Sequence, residues 1–199
     1  MTPPNQCPDL DRLFADAIAR LEQAVRNRDA AMHAPVVVTG DGDARIMVLR
    51  GVDGDLAGLR FHTDRRSPKV ATIIADPRLT LLAYDPVARV QLRIGGTARI
   101  ETAGPVADAA WAAASPLSRR CYLAEAGPGA VLAASGSALP PEVRDHRPSL
   151  AQSEAGRAHF AVIVMRAEQL DWLQLGRDGG TRAQFERIPG GWQGAWIAP

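Results

Sequence analysis

The chain has 199 residues, 46% of them hydrophobic, with 23 basic and 22 acidic side chains and a formal net charge of +1. That balance lacks the basic excess of a general nucleic-acid or membrane-surface protein, and the length suits one domain with appendages. No apolar run approaches a membrane span, so neither nucleic acid nor membrane is an expected partner. The opening Met1-Thr-Pro-Pro-Asn5 has neither the basic nor the apolar region of a secretion signal. Cys7 and Cys121 form no metal or redox spacing, so reduced thiols in a cytoplasmic setting are expected.

In chain order, residues 9–28 predict an amphipathic helix capped by Asp9, with Leu10, Leu13, Phe14, Ala17, Ile18, Leu21 and Val25 on one face. Residues 35–39 read as a strand, Gly40-Asp41-Gly42-Asp43 as a hairpin turn, and 45–50 as the returning strand. A third strand follows at 56–63. A helix over 67–76 is stopped by Pro77, and strands at 79–84 and 90–101 complete the first half. Gly95-Gly96 inside the last of these predicts a bulge or bend. Alanine-rich helices are expected at 106–114 and 116–126, then an irregular stretch at 127–148 and a short helix at 150–155. Strands are predicted at 159–165, 169–175, 182–188 and 192–197.

Short strands joined mostly by hairpin turns, with one helix between strands in the first half, point to an antiparallel sheet closing into a small barrel with peripheral helices. The fold class is mainly β with peripheral helices (α+β), in a single domain over 1–199. The N-terminal helix occupies 9–28, the barrel about 35–103 and 159–199, and a helical and loop insertion about 105–156. No G-x-G-x-x-G follows a strand, which excludes the doubly wound alternative.

The chemistry concentrates in Phe61-His62-Thr63-Asp64-Arg65-Arg66-Ser67-Pro68-Lys69-Val70, where a strand runs into a helix. Ser67 reads as the N-cap and Pro68 as the first helical residue. A helix N-terminus offers free N–H groups and positive dipole charge, and basic side chains surround this one. A solvated basic cap is the competing reading. Strand alternation groups Arg45 with Met47 and Leu49, and Arg50 with Ile46 and Val48. That puts an arginine on each face, unless both are strand-end residues reaching solvent. Gln91 is either an outward polar residue or an amide facing a heterocycle edge. Together, Arg45, Thr63, Ser67 and Lys69 suit a phosphate, apolar strand a ring system, and Gln91 the ring's polar edge.

Arg45-Ile-Met-Val-Leu-Arg50, Phe61-His62-Thr63-Asp64, Ser67-Pro68-Lys69, Asp76-Pro77, and Gln91 with Gly96 resemble, in order and spacing, the pyridoxamine 5′-phosphate oxidase-like FMN-binding split barrels. Trp172, Arg182, Phe185 and the ending Trp196-Ile-Ala-Pro199 match more loosely. The resemblance implies an antiparallel split β-barrel and a homodimer with FMN at the interface. It implies that Arg45, Thr63 and Lys69 hold the flavin phosphate beside Ser67, with Arg50 nearby. His62 and Gln91 would lie along the flavin over Val48, and a partner subunit would supply Trp172 and Arg182. Pro68 stands where the oxidases carry a second basic residue, for which Arg65 or Arg66 would compensate. The family's substrate-phosphate positions fall on Arg50, Trp111, Ser115 and Arg119, where the usual lysine and tyrosine are replaced and the serine and arginine exchanged. The family's histidine two residues after an arginine is Gln184 here.

The expectation is therefore an FMN-dependent oxidoreductase acting on a small molecule, with no catalytic residue singled out. Its alternatives are a true pyridoxamine 5′-phosphate oxidase with an altered phosphate site, a flavin or haem carrier or sensor, and a barrel without cofactor. His33, His146 and His159 lack metal-ligand spacing, and no metal is expected. Ser135-Gly136-Ser137 reads as a flexible loop, and Trp192 and Trp196 share one strand face for packing or dimer contact. Trp111 is either a pocket roof or a packing anchor.

Overall fold

The computed structural model describes residues 9–176 and 179–199, so Cys7 lies outside the described residues. The first half runs α1 (Leu10–Arg26), β1 (Val36–Thr39), β2 (Ala44–Ile46), β3 (Leu49–Val52), β4 (Leu59–Asp64), α2 (Pro68–Ala75), β5 (Arg78–Asp85) and β6 (Val90–Glu101). Four short helices follow: α3 (Pro105–Ala113), α4 (Pro116–Arg119), α5 (Pro141–Arg144) and α6 (Leu150–Glu154). β7 (Phe160–Gln174), β8 (Thr181–Ile188) and β9 (Gly191–Trp196) end the chain.

All the strand pairs are antiparallel, in the order β2-β1-β5-β6-β7-β4-β3, with β8 and β9 added beside β7. β7 pairs with β6 along one edge. Its other edge pairs with β4 over 160–165 and with β8 over 169–174. That division splits the barrel. The link from β2 to β3 draws the outer edges together, because the Met47 and Leu49 N–H groups donate to the Pro35 and His33 carbonyls at 3.0 and 2.9 Å.

Sequence predicts two strands where β7 is one. Its register with β6 shifts between Gly95 and Gly96, leaving Glu168 as the extra residue on β7. The paired glycines do mark the bulge, and the reason is steric. A Cβ on Gly96 would lie 2.0 Å from the Arg166 carbonyl oxygen, whereas one on Gly95 would meet only the Gln169 side chain at 3.6 Å.

The bulge also reverses which side chains face which way. Before it, Ile163 and Met165 enter the main core, while Phe160, Val162 and Val164 enter a second core under the insertion. After it, Leu170 and Trp172 face the main core. Burial on both faces explains the unbroken apolar run 160–165. α1, N-capped by Asp9, buries Leu13, Ala17, Leu21 and Ala24 against the sheet, and Phe14 packs on Phe185 and Trp192. The helix expected over 116–126 ends at Arg119 and tightens into a 3₁₀ turn through Leu123. Among the described residues no helix is long and apolar enough to cross a membrane.

Candidate functional site

β2, the link to β3, the end of β4 and the start of α2 border a cleft of about 620 Å³, closed on its remaining side by Tyr122, Pro128 and Gly129 of the insertion. The expected strand over 45–50 is broken at Met47–Val48, because β2 pairs with β1 while β3 turns to pair with β4. Arg45, Val48 and Arg50 all line this one cleft.

At the start of α2, Ser67 occupies the cap position but makes no side-chain cap bond. Its Oγ instead accepts from Lys69 Nζ at 2.6 Å, and Thr63 Oγ1 accepts from the same ammonium at 3.4 Å. Ser67 and Thr63 are buried. Burial, and then the positive charge of Arg45, push the Lys69 pKa down. An ammonium hydrogen-bonded, among the described residues, only to hydroxyls, beside another cation and at a helix N-terminus, is an incompletely neutralised positive site. It favours an anion. Arg45 is itself aimed by Asp43 and by Thr39 Oγ1 at 3.2 Å.

Asp64 offsets this charge only in part. Burial would raise its carboxyl, but Arg66 outweighs that and holds it below the usual range, through hydrogen bonds of 2.7–3.0 Å. Arg66 is thereby spent. Its guanidinium also donates to the Ala124 and Glu125 carbonyls, tying the insertion to the barrel. Arg65 is exposed and does not line the cleft, so neither arginine takes the role that Pro68 leaves open. His62 stands along the wall, edge-on to Phe160 at 4.9 Å. Burial and then Arg50 depress its pKa to about 4, leaving a neutral imidazole at neutral pH.

Arg45, Val48, Arg50, His62, Thr63, Ser67 and Lys69 thus converge. Six other expected residues do not join them within one chain. Gln91 and Arg182 lie on the outer face of the sheet, in the cross-strand row Tyr84, Gln91, Leu173, Arg182. Trp172 points the opposite way, 3% exposed in the core, with Nε1 donating to Asp16 at 3.0 Å. It cannot share a site with Arg182 in this fold. Trp111 and Arg119 are also turned away from the cleft. Arg119 stacks 4.5 Å from the Trp111 ring, donates to the Trp111 carbonyl at 2.6 and 3.1 Å, and pairs with Glu154. Trp111 Nε1 donates to Glu154 at 3.0 Å. Both are packing residues, and of the expected substrate positions only Arg50 and Ser115 border open space, Ser115 in an adjoining cavity.

Sequence reasoning missed Ser118, Cys121 and Tyr122, which line the cleft from the insertion. An alanine-rich stretch carries no spacing signal for residues that reach the site by folding back over it. Ser135-Gly136-Ser137 is exposed and away from the cleft. Among the described residues no group of three or more His, Cys, Asp or Glu is placed to hold a metal ion.

Residues 19–141 match the sequence profile of the family described as pyridoxamine 5′-phosphate oxidase. Two curated relatives are pyridoxine/pyridoxamine 5′-phosphate oxidases. That of Anaeromyxobacter dehalogenans (strain 2CP-C) is 31% identical over 94 residues, 47% of each chain. That of Gluconobacter oxydans (strain 621H) is 35% identical over 109 residues, 54% of this chain and 52% of the other. The match spans about half the length of each relative. Among solved structures, a pyridoxamine 5′-phosphate oxidase-related, FMN-binding protein of Nostoc punctiforme PCC 73102 superposes with a TM-score of 0.69 at 24% identity, over 94% of this chain and 97% of its own. PhzG of Burkholderia lata 383, solved with tetrahydrophenazine-1-carboxylic acid, superposes with a TM-score of 0.71 at 17% identity, over 100% and 98%. These structures share the fold from end to end, and with a profile match over more than half its length the chain belongs to the pyridoxamine 5′-phosphate oxidase family.

Proposed function

We propose that the protein is an FMN-dependent oxidoreductase acting on a small molecule, with the flavin phosphate at the start of α2. The observation that carries this reading is Lys69, whose ammonium among the described residues is hydrogen-bonded only to the Ser67 and Thr63 hydroxyls, and whose pKa burial and Arg45 lower. A phosphate suits that donor set: two hydroxyls, an ammonium and the Arg45 guanidinium, all lining the cleft. Val48 would lie under the ring system and the neutral His62 beside it. Bound FMN would supply two-electron chemistry, taking a hydride from the substrate and passing electrons to oxygen or another acceptor. The protein's own part is to hold, orient and exclude water.

The same proposal includes a homodimer. Ile46 lines the cleft, is 72% exposed, and continues through Val36 and exposed Leu82 onto the outer sheet face that carries Tyr84, Gln91 and Arg182. A two-fold contact over this face would bring Gln91 and Arg182 of one subunit toward the cleft of the other. The burial of Trp111 and Arg119 weighs against a true pyridoxamine 5′-phosphate oxidase, since neither side chain is available to grip a substrate phosphate.

The test is the absorbance spectrum of the purified protein, followed by titration of apoprotein with FMN. Flavin bands, or saturable binding near one per chain, support the reading. A colourless protein that ignores FMN overturns it, and bound flavin that no donor reduces would favour a carrier or sensor.

A further inference from the structure

A second cavity, of about 740 Å³, adjoins the cleft and shares Arg50, His62 and Ser118 with it. Its wall on the insertion side is α3, which presents Val106, Ala109, Ala110 and Ala113 and no polar side chain. The opposite wall carries two arginines. Arg60 is paired with Asp53 at 2.9 Å. Among the described residues Arg50 has neither an ion pair nor a side-chain hydrogen bond, and it stands where the two cavities meet.

The hydroxyls at this junction are partly committed. Ser115 Oγ accepts from the Ser118 N–H at 3.2 Å as the cap of α4 and lies 3.0 Å from Ser118 Oγ. His62 adds no charge at neutral pH. Among the described residues the cavity therefore offers one unpaired cation against a broad apolar wall. A phosphate dianion calls for several charged or hydroxyl donors, as the cleft at the start of α2 provides. One guanidinium, which can donate two parallel hydrogen bonds, matches one carboxylate. Small side chains along α3 leave room for a ring to lie flat against the helix.

We propose that this second cavity is the substrate site and that it takes an apolar, ring-sized molecule bearing a single carboxylate, held by Arg50 with its ring on the α3 alanine face. The assignment to a substrate rests on the flavin reading above; the binding itself does not.

Isothermal titration calorimetry tests it with three probes: 1-naphthoate, the neutral 1-naphthalenemethanol, and pyridoxine 5′-phosphate. Each is added to the wild-type protein and to the Ala113→Phe and Arg50→Gln variants, with and without saturating FMN. Naphthoate is expected to bind once per chain, about tenfold or more tighter than either other probe, and to be undisturbed by FMN. Ala113→Phe fills the cavity from an exposed helix position, so it is expected to weaken naphthoate about tenfold or more while FMN binds as before. Arg50→Gln is expected to remove most of the preference for the carboxylate over the alcohol. Naphthoate that fails to bind, that binds no better than the alcohol or the phosphate ester, that FMN displaces, or that ignores both substitutions overturns the proposal. Failure of FMN to bind, with the naphthoate results as expected, would overturn the flavin reading alone.

Discussion

Lys69 shows how one side chain can declare a ligand. Placing an ammonium beside Arg45 and partly out of water is costly, and among the described residues its hydrogen bonds go only to hydroxyls, with Asp64 and Asp43 offsetting the charge in part. Lys69→Ala is therefore expected to weaken FMN by about 1.5–3 kcal/mol, the range for a hydrogen bond to a charged group, as read by flavin fluorescence titration. Unchanged affinity would place the phosphate elsewhere. His62 carries a second expectation. Its pKa is about 4 in the fold against 6.5 for an ordinary histidine, so between those values the unfolded chain binds a proton that the fold refuses. The contribution is complete above pH 6.5 and is lost as pH falls toward 4. In urea unfolding of the apoprotein, the loss between pH 7 and pH 5 should be smaller in His62→Gln by about 1–2 kcal/mol; an equal loss in both proteins would contradict the burial of a neutral imidazole. The place of Ser67 and Lys69 at the start of α2 was legible in the sequence because it is local, whereas the bond from Lys69 to Ser67 in place of a cap bond was not. The fates of Trp111 and Arg119 were not, because spacing fixes their place along the chain but not which side the insertion turns toward the sheet. Arg119→Leu is expected to lower stability by about 1–3 kcal/mol through the donors that the Trp111 carbonyl loses, with FMN affinity unchanged.

At the scale of elements, most of the barrel follows from period-2 patterning and turn chemistry. β6 has the expected bounds and α1 lies within its expected range. Patterning failed where one segment serves two neighbours. Residues 45–50 carry a continuous strand signal, but β2 and β3 answer to different partners, and pairing choice is not encoded in local alternation. The reverse error occurs in β7, where the polar interruption at Arg166–Glu168 ends no strand and is accommodated by the bulge opposite Gly95 and Gly96. The two glycines are not equivalent. Gly96→Ala drives a Cβ into the Arg166 carbonyl and is expected to cost about 1–3 kcal/mol or more, whereas Gly95→Ala meets a movable Gln169 side chain and should cost well under that. Equal effects in denaturant titrations would mean that the bulge can shift.

For the whole molecule, the sheet has one face committed to the main core and another divided between the second core and open surface. The open part joins exposed Ile46, Leu82 and Tyr84 to the ion cluster in which Asp171 binds both Arg93 and Arg182, at 2.6 and 2.7 Å. Leu82→Glu on that face is expected to shift the protein from dimer to monomer in light scattering and to loosen FMN; a wild-type protein that is already monomeric would remove the proposed route of Gln91 and Arg182 to the cleft. No single-chain reading of the sequence could have settled that route, because it concerns a surface rather than a core. Lys69, Ser67, Thr63 and Arg45 at the start of α2 are proposed to hold the phosphate of a flavin. The most direct measurement is a paired fluorescence titration of the apoprotein with FMN and with riboflavin, which differ only in that phosphate. FMN binding about tenfold or more tighter than riboflavin is the predicted result; equal affinities for the two, or no binding of either, would contradict it.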